Sequence, residues 1–427
     1  MSIKQKLVRG IVFLRSFCYW KQLAKDVGRN ENDEAPITPS LVIVPCDPQS
    51  VGGSRGDEAM ITAVIQRYRR SSPMIPIHIV CSDEGIGYIR HLPIERISPI
   101  PSWNGSYSTE RVYRSIIAAK PSDVVILGAD CMDGFYSPLL SLELLSIYDL
   151  CCKTPNLRAH LLGFSFNDTP SWMMVRAFKS LSPDTKILIR DGVSLTRYQN
   201  RVNRQAELVA DAAFMLQPQF DFPLYEKVKL WADLQRADGK RIIGLNFHPM
   251  LRSYSGEEDI KIDAQLLAQN VEKILSMHSD VSFVLIPHDD RSRLTDNLML
   301  STVYNYLKGL NQGSYRVYYS PEVPRAAQLK AMCGLLDGLI SSRMHLAIAA
   351  LGMGVPVMAA TYQGKFEGLF EHFGLDDSFL LDPKRFLSNA MVFTFDSFIK
   401  DLPDLKKQIS IRLPLVQELS IANLKDE

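Results

Sequence analysis

The chain has 427 residues, of which 46% are hydrophobic and 22% charged, and its formal net charge is +1 at pH 7. This length predicts two or three domains with sizeable cores, and the balanced charge gives no support for a nucleic acid partner. No apolar run approaches the ~20 residues of a membrane-spanning helix, and the run at 10–14 is too short for the core of a signal peptide.

The first 38 residues predict an amphipathic helix followed by a polar linker at 26–38. Apolar residues recur at helical spacing, and basic residues flank them; the apolar stripe is Ile3, Leu7, Ile11, Leu14 and Cys18, and the basic residues include Lys4, Lys6, Arg9 and Arg15. Such a helix can lie on an anionic membrane surface or pack on its own protein. We keep both alternatives for residues 1–25.

From residue 41 onward, short apolar strands alternate with helices, which is typical of parallel sheets covered on both faces. The first series predicts strands at 41–44, 77–81, 124–127, 160–164 and 186–190, with helices at 57–70, 108–120, 138–152 and 171–180. After a weak stretch at 217–240, the second predicts strands at 242–247, 283–287, 316–319, 336–340 and 355–360, with helices at 262–277, 290–310, 325–333, 344–351 and 365–372.

This organisation predicts the fold class α/β, with two doubly wound, Rossmann-like domains facing a cleft. We expect a helix and linker at 1–38, an N-terminal α/β domain at 39–230, a C-terminal α/β domain at 231–385 and a helical tail at 386–427. The helix of the tail is expected from residue 398 and should break near Pro414.

The most informative segment is Ser341-Ser342-Arg343-Met344-His345, between a predicted strand and an alanine-rich helix. Parallel sheets present helix N-termini at this edge, where anions bind. Arg343 offers a planar fork for a phosphate or carboxylate, and His345 can move a proton near neutral pH. The alternative is a helix start capped by Ser342, with Arg343 on the surface and His345 in the core.

Polar residues also follow other predicted strands of the first series. Asp57 follows a glycine-rich loop, Asp130 and Asp133 follow strand 124–127, and Arg190 ends strand 186–190. Each of these residues could bind a ligand, such as sugar hydroxyls or an anion, and each could instead have a structural role. The structural alternatives are a helix cap for Asp57, a turn at the Asp133-Gly134 pair and a salt bridge for Arg190.

In the second series, the strand ends carry Asn246, His248, His288 and Lys365. Because the carboxyl ends of parallel strands share one edge of a sheet, three histidines at such ends, counting His345, favour a functional site. The chain has no HExxH motif and no short Cys/His pair, so we predict no metal site.

These motifs, in this order, resemble the polysaccharide pyruvyl transferase family over roughly residues 41–385. The most specific part is Ser342-Arg343-Met344-His345, followed by Val355-Pro356-Val357 and by Lys365-Phe366-Glu367-Gly368. Gly56-Asp57-Glu58-Ala59, Arg190-Asp191 and Pro287-His288 also resemble the family. Where members often carry a glycine-rich run, this chain has Gly128-Ala129-Asp130.

The resemblance implies an enzyme that transfers pyruvate from phosphoenolpyruvate to two hydroxyls of one sugar, forming a ketal on a cell-surface polysaccharide or its lipid-linked precursor. It implies an architecture similar to the GT-B glycosyltransferases and no cofactor beyond the donor substrate. For catalysis we predict His345 as general acid, with Arg343 and Asp130. The predicted donor-binding residues are Arg190, Ser341, Ser342, Arg343, His288 and Lys365, and the predicted acceptor-binding residues are Asp57, Asp130, Asp133, Asn246 and His248.

Two other functions stay open. The first is a GT-B glycosyltransferase that uses a nucleotide sugar, although residues 341–351 lack the acidic residue that often binds ribose in such enzymes. The second is a non-catalytic assembly protein, which Arg343 and His345 disfavour. The seven cysteines include no CxxC pair, so we expect reduced thiols in a cytoplasmic protein, peripheral at most at the inner face of the plasma membrane.

Overall fold

A computed structural model describes residues 3–27, 38–92, 95–105, 108–183, 185–249, 254, 256–289, 295–309, 314–361 and 364–425. The chain forms two compact units. The first comprises Met1–Gly53, Met60–Met215 and Glu418–Glu427, and the second comprises Ser54–Ala59 and Leu216–Gln417. The predicted domain boundary at 230/231 falls within a helix of the second unit, whereas the predicted linker at 26–38 lies mostly outside the described residues.

The first unit contains a five-stranded parallel sheet. Its strands are β1 (Thr38–Val44), β2 (Ile77–Val80), β3 (Ile97–Ile100), β4 (Pro121–Ile126) and β5 (Arg158–Leu161). They lie in the order β3-β2-β1-β4-β5, and a separate short pair joins β6 (Leu188–Ile189) to β7 (Glu207–Leu208). The helices are α1 (Ile3–Asp26), α2 (Arg55–Ser71), α3 (Gly85–His91), α4 (Thr109–Ala118), α5 (Pro138–Cys152), α6 (Trp172–Lys179) and α7 (Gly192–Val202). The first turn of α2 belongs to the second unit.

Helix α1 packs on the first unit through a face that the sequence pattern did not indicate. Phe13, Trp20 and Ala24 are buried, and Trp20 Nε1 donates a hydrogen bond to Asp149 Oδ2 of α5 at 3.1 Å. The rings of Phe13 and Trp20 bury a large apolar area on this face. Ile11 and Leu14, from the predicted stripe, are exposed instead.

The second unit contains a six-stranded parallel sheet in the order β10-β9-β8-β11-β12-β13. Its strands are β8 (Arg241–Leu245), β9 (Val281–Leu285), β10 (Val317–Tyr319), β11 (Gly338–Ser341), β12 (Val357–Ala360) and β13 (Leu380–Leu381). The helices are α8 (Pro223–Ala237), α9 (Glu257–Met277), α10 (Asp296–Lys308), α11 (Ala326–Cys333), α12 (Met344–Leu351), α13 (Lys365–Phe373), α14 (Pro383–Phe386) and α15 (Ala390–Ile421). The last turn of α15 belongs to the first unit.

Most predicted elements appear within a few residues of their expected bounds, and the main difference is at the C-terminus. Helix α15 begins eight residues before the predicted 398 and continues through Pro403 and Pro414 without a break. A proline inside a helix removes one hydrogen bond and costs about 3 kcal/mol. The buried side chains along α15, which include Phe395, Ile409 and Val416, offset this cost by packing.

Both sheets reverse their strand order beside their first strand. In the first unit β4 returns to the free side of β1, and in the second unit β11 returns to the free side of β8. Ligands of doubly wound sheets bind outside the carboxyl ends of the strands at such switch points. Among the helices in the described ranges, none has both the length and the apolar character that crossing a bilayer requires.

Candidate functional site

The loops that follow β8 and β11 gather polar side chains at the switch point of the second sheet. The main-chain N–H of Asn246 donates to the carbonyl of Ile340 at 2.9 Å. The main-chain N–H of His248 donates to Ser342 Oγ at 2.8 Å. Residues predicted separately for the acceptor, Asn246 and His248, therefore lie in one cluster with the predicted donor motif.

Asp296, in the first turn of α10, is the centre of this cluster and was missed by the sequence analysis. It is fully buried, and it accepts hydrogen bonds from Arg343 Nη2 at 2.6 Å and from Arg343 Nε at 3.3 Å. It also accepts from Asn246 Nδ2 at 2.9 Å and from the main-chain N–H of His288 at 3.1 Å. An acidic residue at a helix start normally indicates only a favourable dipole contact, so no local pattern distinguished Asp296 as a site residue.

Arg343 is held in place by two carboxylates. Besides Asp296, Asp289 Oδ2 accepts a hydrogen bond from Arg343 Nη1 at 3.3 Å. Part of the guanidinium fork is therefore used within the protein, and only the remaining N–H groups can reach a substrate anion. The side chain is 15% exposed, which places it at the edge of the cluster and neither on the open surface nor in the deep core.

Ser341 and Ser342 brace the start of α12 but do not cap it. Ser341 Oγ accepts from the main-chain N–H of Arg343 at 3.0 Å, while Ser342 Oγ holds the His248 loop. Arg343 itself occupies the N-cap position, and it makes no side-chain cap hydrogen bond. The alternative in which Ser342 caps the helix is therefore wrong, and the positive dipole end of α12 keeps its capacity for an anion.

The imidazole of His345 lies against the backbone of Gly56. A Cβ atom at Gly56 would stand 2.3 Å from His345 Nδ1 and 2.7 Å from His345 Cε1. Because real Cβ atoms do not make contacts this short, only glycine allows the ring to occupy this position. The Gly56-Asp57-Glu58 motif thus contributes to the site of the second unit, to which Ser54–Ala59 belongs.

Arg55 and Glu58 fix this motif to the loop before α11, and neither was predicted as a site residue. Glu58, 1% exposed, accepts hydrogen bonds from Arg55 Nη1 at 3.0 Å and from the main-chain N–H of Ala326 at 3.0 Å. Arg55 Nε donates to the carbonyl of Pro324 at 2.7 Å. The family-like sequence around them was the only signal that could have found them.

Asp57, predicted to contact the acceptor, stands in the first turn of α2 and is half-buried. The cap of this helix is Ser54, whose Oγ accepts a hydrogen bond from the main-chain N–H of Asp57 at 3.0 Å. The structural alternative that made Asp57 the cap is therefore wrong, and its carboxylate remains a candidate for substrate contact.

Burial keeps two histidines of the cluster, His248 and His288, neutral. Burial lowers the pKa of both His248 and His288 well below 6.5, and the positive charge of Arg343 adds to the effect. Lys365, which is buried at the start of α13, lowers the pKa of His248 further. His288 Nδ1 is buried and has no hydrogen-bond partner among the residues with described positions. The site therefore combines fixed cations with neutral imidazoles that can hydrogen-bond a ligand.

Arg190, predicted to bind the donor, makes the buried salt bridge that its structural alternative describes. Its Nη1 pairs with Asp211 Oδ2 at 2.8 Å, its Nε donates to Ser165 Oγ at 2.7 Å, and it is only 4% exposed. Burial opposes its charge, but Asp211 and Asp130 more than offset this and raise its pKa. The contacts tie Arg190 to the first unit, and its donor-binding role stays a prediction.

Asp133 and Asn246, predicted to bind the acceptor, are also turned inward. Asp133 is fully buried and accepts hydrogen bonds from the main-chain N–H groups of Phe135 and Asn167, each at 2.8 Å, while burial raises its pKa. Asn246 is fully buried and donates to the Ile286 carbonyl at 2.9 Å as well as to Asp296. Both residues tie loops together. Asp130, in contrast, is only half-buried.

Residues 55–364 match the sequence profile of a family described as polysaccharide pyruvyl transferase. The chain belongs to the polysaccharide pyruvyl transferase family. The resemblance found in the sequence is confirmed, and the protein is a transferase. The match begins at Arg55 and extends past His345, so it includes the contact between Gly56 and the histidine ring. No curated protein sequence matches the chain.

Solved structures with similar folds share little sequence with this family member. A putative UDP-N-acetylglucosamine 2-epimerase from Listeria monocytogenes is 12% identical, with 90% of this chain and 94% of that chain covered and a TM-score of 0.52. A UDP-forming α,α-trehalose-phosphate synthase from Burkholderia vietnamiensis is 10% identical, with 92% and 99% covered and a TM-score of 0.51. At these identities the likeness shows the fold alone. It confirms the predicted α/β, GT-B-like class.

Within the described ranges, no group of three or more His, Cys, Asp or Glu side chains is placed to bind a metal ion. A reaction without a metal or a cofactor stays a prediction for this pyruvyl transferase family member.

Proposed function

We propose that this enzyme transfers pyruvate from phosphoenolpyruvate to two hydroxyls of one sugar in a cell-surface polysaccharide or its lipid-linked precursor. The observation that carries the proposal is the cationic cluster at the switch point of the second sheet, in a member of this family. Phosphoenolpyruvate carries a phosphate and a carboxylate close together, so its binding site needs two adjacent groups that attract anions.

The elements of the cluster suit these two anions. The N-terminus of α12, which lacks a side-chain cap, can bind the phosphate through main-chain N–H groups. Ion pairs with Asp289 and Asp296 orient the side chain of Arg343. Together with Lys365, it can supply positive charge to the carboxylate. The neutral imidazoles of His248 and His288 can add hydrogen bonds without adding charge.

In the proposed reaction, the donor is protonated first and two sugar hydroxyls then replace the phosphate. His345 donates a proton to the methylene carbon of phosphoenolpyruvate, which becomes a methyl group and leaves the central carbon electrophilic. One sugar hydroxyl bonds to that carbon, the bond to the phosphate oxygen breaks, and a second hydroxyl of the same sugar closes the ketal. Of the two hydroxyl protons, one replaces the proton that His345 gave and the other leaves with phosphate. Asp130 is the carboxylate that we propose as first acceptor of a hydroxyl proton.

Thermal unfolding with and without ligand tests the identity of the donor. A ligand that binds only the folded protein stabilises it, by about 2.7 kcal/mol at 100 times its Kd. We expect phosphoenolpyruvate to raise the Tm, and UDP-glucose and UDP-N-acetylglucosamine to leave it unchanged. Inorganic phosphate at equal ionic strength is the control for a general anion effect. If the UDP-sugars stabilise the protein and phosphoenolpyruvate does not, the enzyme is a glycosyltransferase.

We also propose that α1 holds the enzyme at an anionic membrane, at the inner face of the plasma membrane. Val8, Ile11 and Leu14 are 51%, 52% and 46% exposed, although the opposite face of the helix packs on α5. The basic residues Arg9 and Arg15 are exposed beside them. Apolar side chains flanked by basic ones suit the boundary between lipid headgroups and acyl chains, where each basic residue contributes about 1 kcal/mol.

Sedimentation with lipid vesicles tests this contact. Deleting residues 1–25 would also remove the buried Trp20, so exposed positions are the better targets. Wild-type enzyme should pellet with phosphatidylglycerol vesicles and not with phosphatidylcholine vesicles, and Ile11→Gln/Leu14→Gln should abolish pelleting. The control is Leu230→Gln/Leu234→Gln on α8, where the side chains are 65% and 60% exposed. Equal pelleting of both double variants would exclude α1 as the membrane contact.

A further inference from the structure

The loop at residues 128–136 follows β4 and therefore stands at the switch point of the first sheet, between the carboxyl ends of β1 and β4. This is the position in the first unit that corresponds to the cationic cluster in the second. Neither the family match nor the structural likenesses assign a ligand to it. A doubly wound sheet binds ligands at this edge. The side chains of the 128–136 loop therefore indicate which class of ligand the first unit can bind.

The backbone is strained on both sides of this switch point. Val51, in the loop after β1, has a φ of 49°, and Ala129, in the 128–136 loop, has a φ of 47°. A left-handed conformation is unfavourable for any residue with a Cβ atom and most of all for a β-branched one. Such strain persists where the surrounding contacts enforce it, and it concentrates at ligand sites.

Hydrogen bonds and close packing hold the 128–136 loop in one conformation. Asp133 anchors it through the hydrogen bond from Phe135 and through its bonds to Asn167. Gly134 lies so close to α6 that a Cβ atom would stand 2.8 Å from the side chains of Met174 and Ser171. A rigid loop presents its outer side chains in one arrangement, which lowers the entropic cost of binding.

The outer side of the loop carries two exposed aromatic rings beside a carboxylate. Phe135 and Tyr136 are 48% and 53% exposed, and their rings pack edge to face with centroids 5.2 Å apart. The hydroxyl of Tyr136 donates a hydrogen bond to Asp130 Oδ2 at 3.2 Å. Trp172, which follows Ser171 directly, is 65% exposed. Exposed aromatic side chains on a rigid loop, at the edge of a sheet where ligands bind, are typical of a binding surface.

We propose that Phe135, Tyr136 and Asp130 form the subsite for the pyranose ring of the acceptor glycan. A pyranose has a face of C–H groups, which can lie on an aromatic ring, and a rim of hydroxyls, which a carboxylate and a phenol can hydrogen-bond. Asp130 and the Tyr136 hydroxyl then contact the hydroxyl rim of the sugar, because they are the polar members of the subsite. This inference rests on the proposed function for its choice of a sugar ligand.

Binding to a glycan array tests the subsite. The probes are fragments of microbial surface polysaccharides, and the protein is the full chain. Wild type should bind at least one glycan, Tyr136→Ala and Phe135→Ala should each weaken that binding roughly tenfold or more, and Tyr136→Phe should weaken it only by about fivefold, as for one lost hydrogen bond. Phe393→Ala, which removes a 69% exposed ring on α15, should bind like wild type.

The Tm shift caused by phosphoenolpyruvate separates this inference from the proposed function. We expect the Phe135 and Tyr136 variants to keep that shift in full, because the donor site belongs to the second unit. Failure of wild type to bind any glycan, or full binding by both alanine variants, would overturn the subsite. Glycan binding that depends on Tyr136, without any shift by phosphoenolpyruvate, would support the subsite and reject the donor.

Discussion

His345→Asn should lower kcat by roughly 10²–10⁴-fold, the loss typical of a missing acid–base group. Asparagine retains hydrogen-bonding capacity but cannot deliver the proton that the proposed reaction requires at the methylene carbon of phosphoenolpyruvate. The Tm should shift little, since His345 is only half-buried. The measurement is phosphate release at saturating phosphoenolpyruvate, together with thermal unfolding. A large fall in Tm with unchanged turnover would instead make His345 a structural residue of the core.

Gly56→Ala provides an independent check, because it keeps the histidine and moves its ring. The added Cβ would stand 2.3 Å from His345 Nδ1, so the imidazole must leave its position and most of the turnover should be lost. Gly256→Ala is the matched control, since Gly256 precedes α9 and a Cβ there meets no atom within 4 Å. Full turnover in Gly56→Ala would show that the observed ring position is not needed for the reaction.

Asp296→Ala should have the largest effect on stability, lowering the free energy of unfolding by about 3–5 kcal/mol. The change leaves Arg343 without its main counter-ion at a site where that side chain is only 15% exposed. It also removes the acceptor of the Asn246 amide and of the His288 main-chain N–H, and unsatisfied buried donors add to the cost.

Urea unfolding measures this loss, with Asp233→Ala as the control. Asp233 is half exposed on α8 and pairs with the surface cations Lys229 and Arg236, so its removal should leave the urea midpoint unchanged. If Asp296→Ala unfolds at the wild-type midpoint, the carboxylate does not hold Arg343. The proposal that Asp296 orients Arg343 to bind the donor carboxylate would then be wrong.

Much of the fold could be predicted because periodicity and strand–helix alternation depend on local sequence. Helices α5 and α12 have the predicted bounds, 138–152 and 344–351. Helix α8 was missed, since its many charged residues weaken the apolar pattern. The inward face of α1 was also missed, because the choice between two apolar faces depends on the surface of α5 that receives it.

The site could be predicted only in part, because a strand end specifies an edge of the sheet and not the direction of a side chain. The motif around Arg343 and His345 was found from local sequence. Asp296 and Glu58 were not, since their partners Arg343 and Ala326 lie 47 and 268 positions away in the chain. For the same reason, the sequence suggested a salt bridge for Arg190 but did not identify Asp211 as its partner.

The two units exchange short segments of chain, and this limits how the enzyme can diversify. Ser54–Ala59 belongs to the second unit, and Glu418–Glu427 belongs to the first, where Asn423 accepts from the Gly163 main-chain N–H at 2.7 Å and donates to the Ala210 carbonyl at 2.8 Å. Recombination at a single junction would therefore leave each unit without one of its own segments. New acceptor specificities should arise by point substitutions and loop changes, and not by exchange of half-genes between related enzymes.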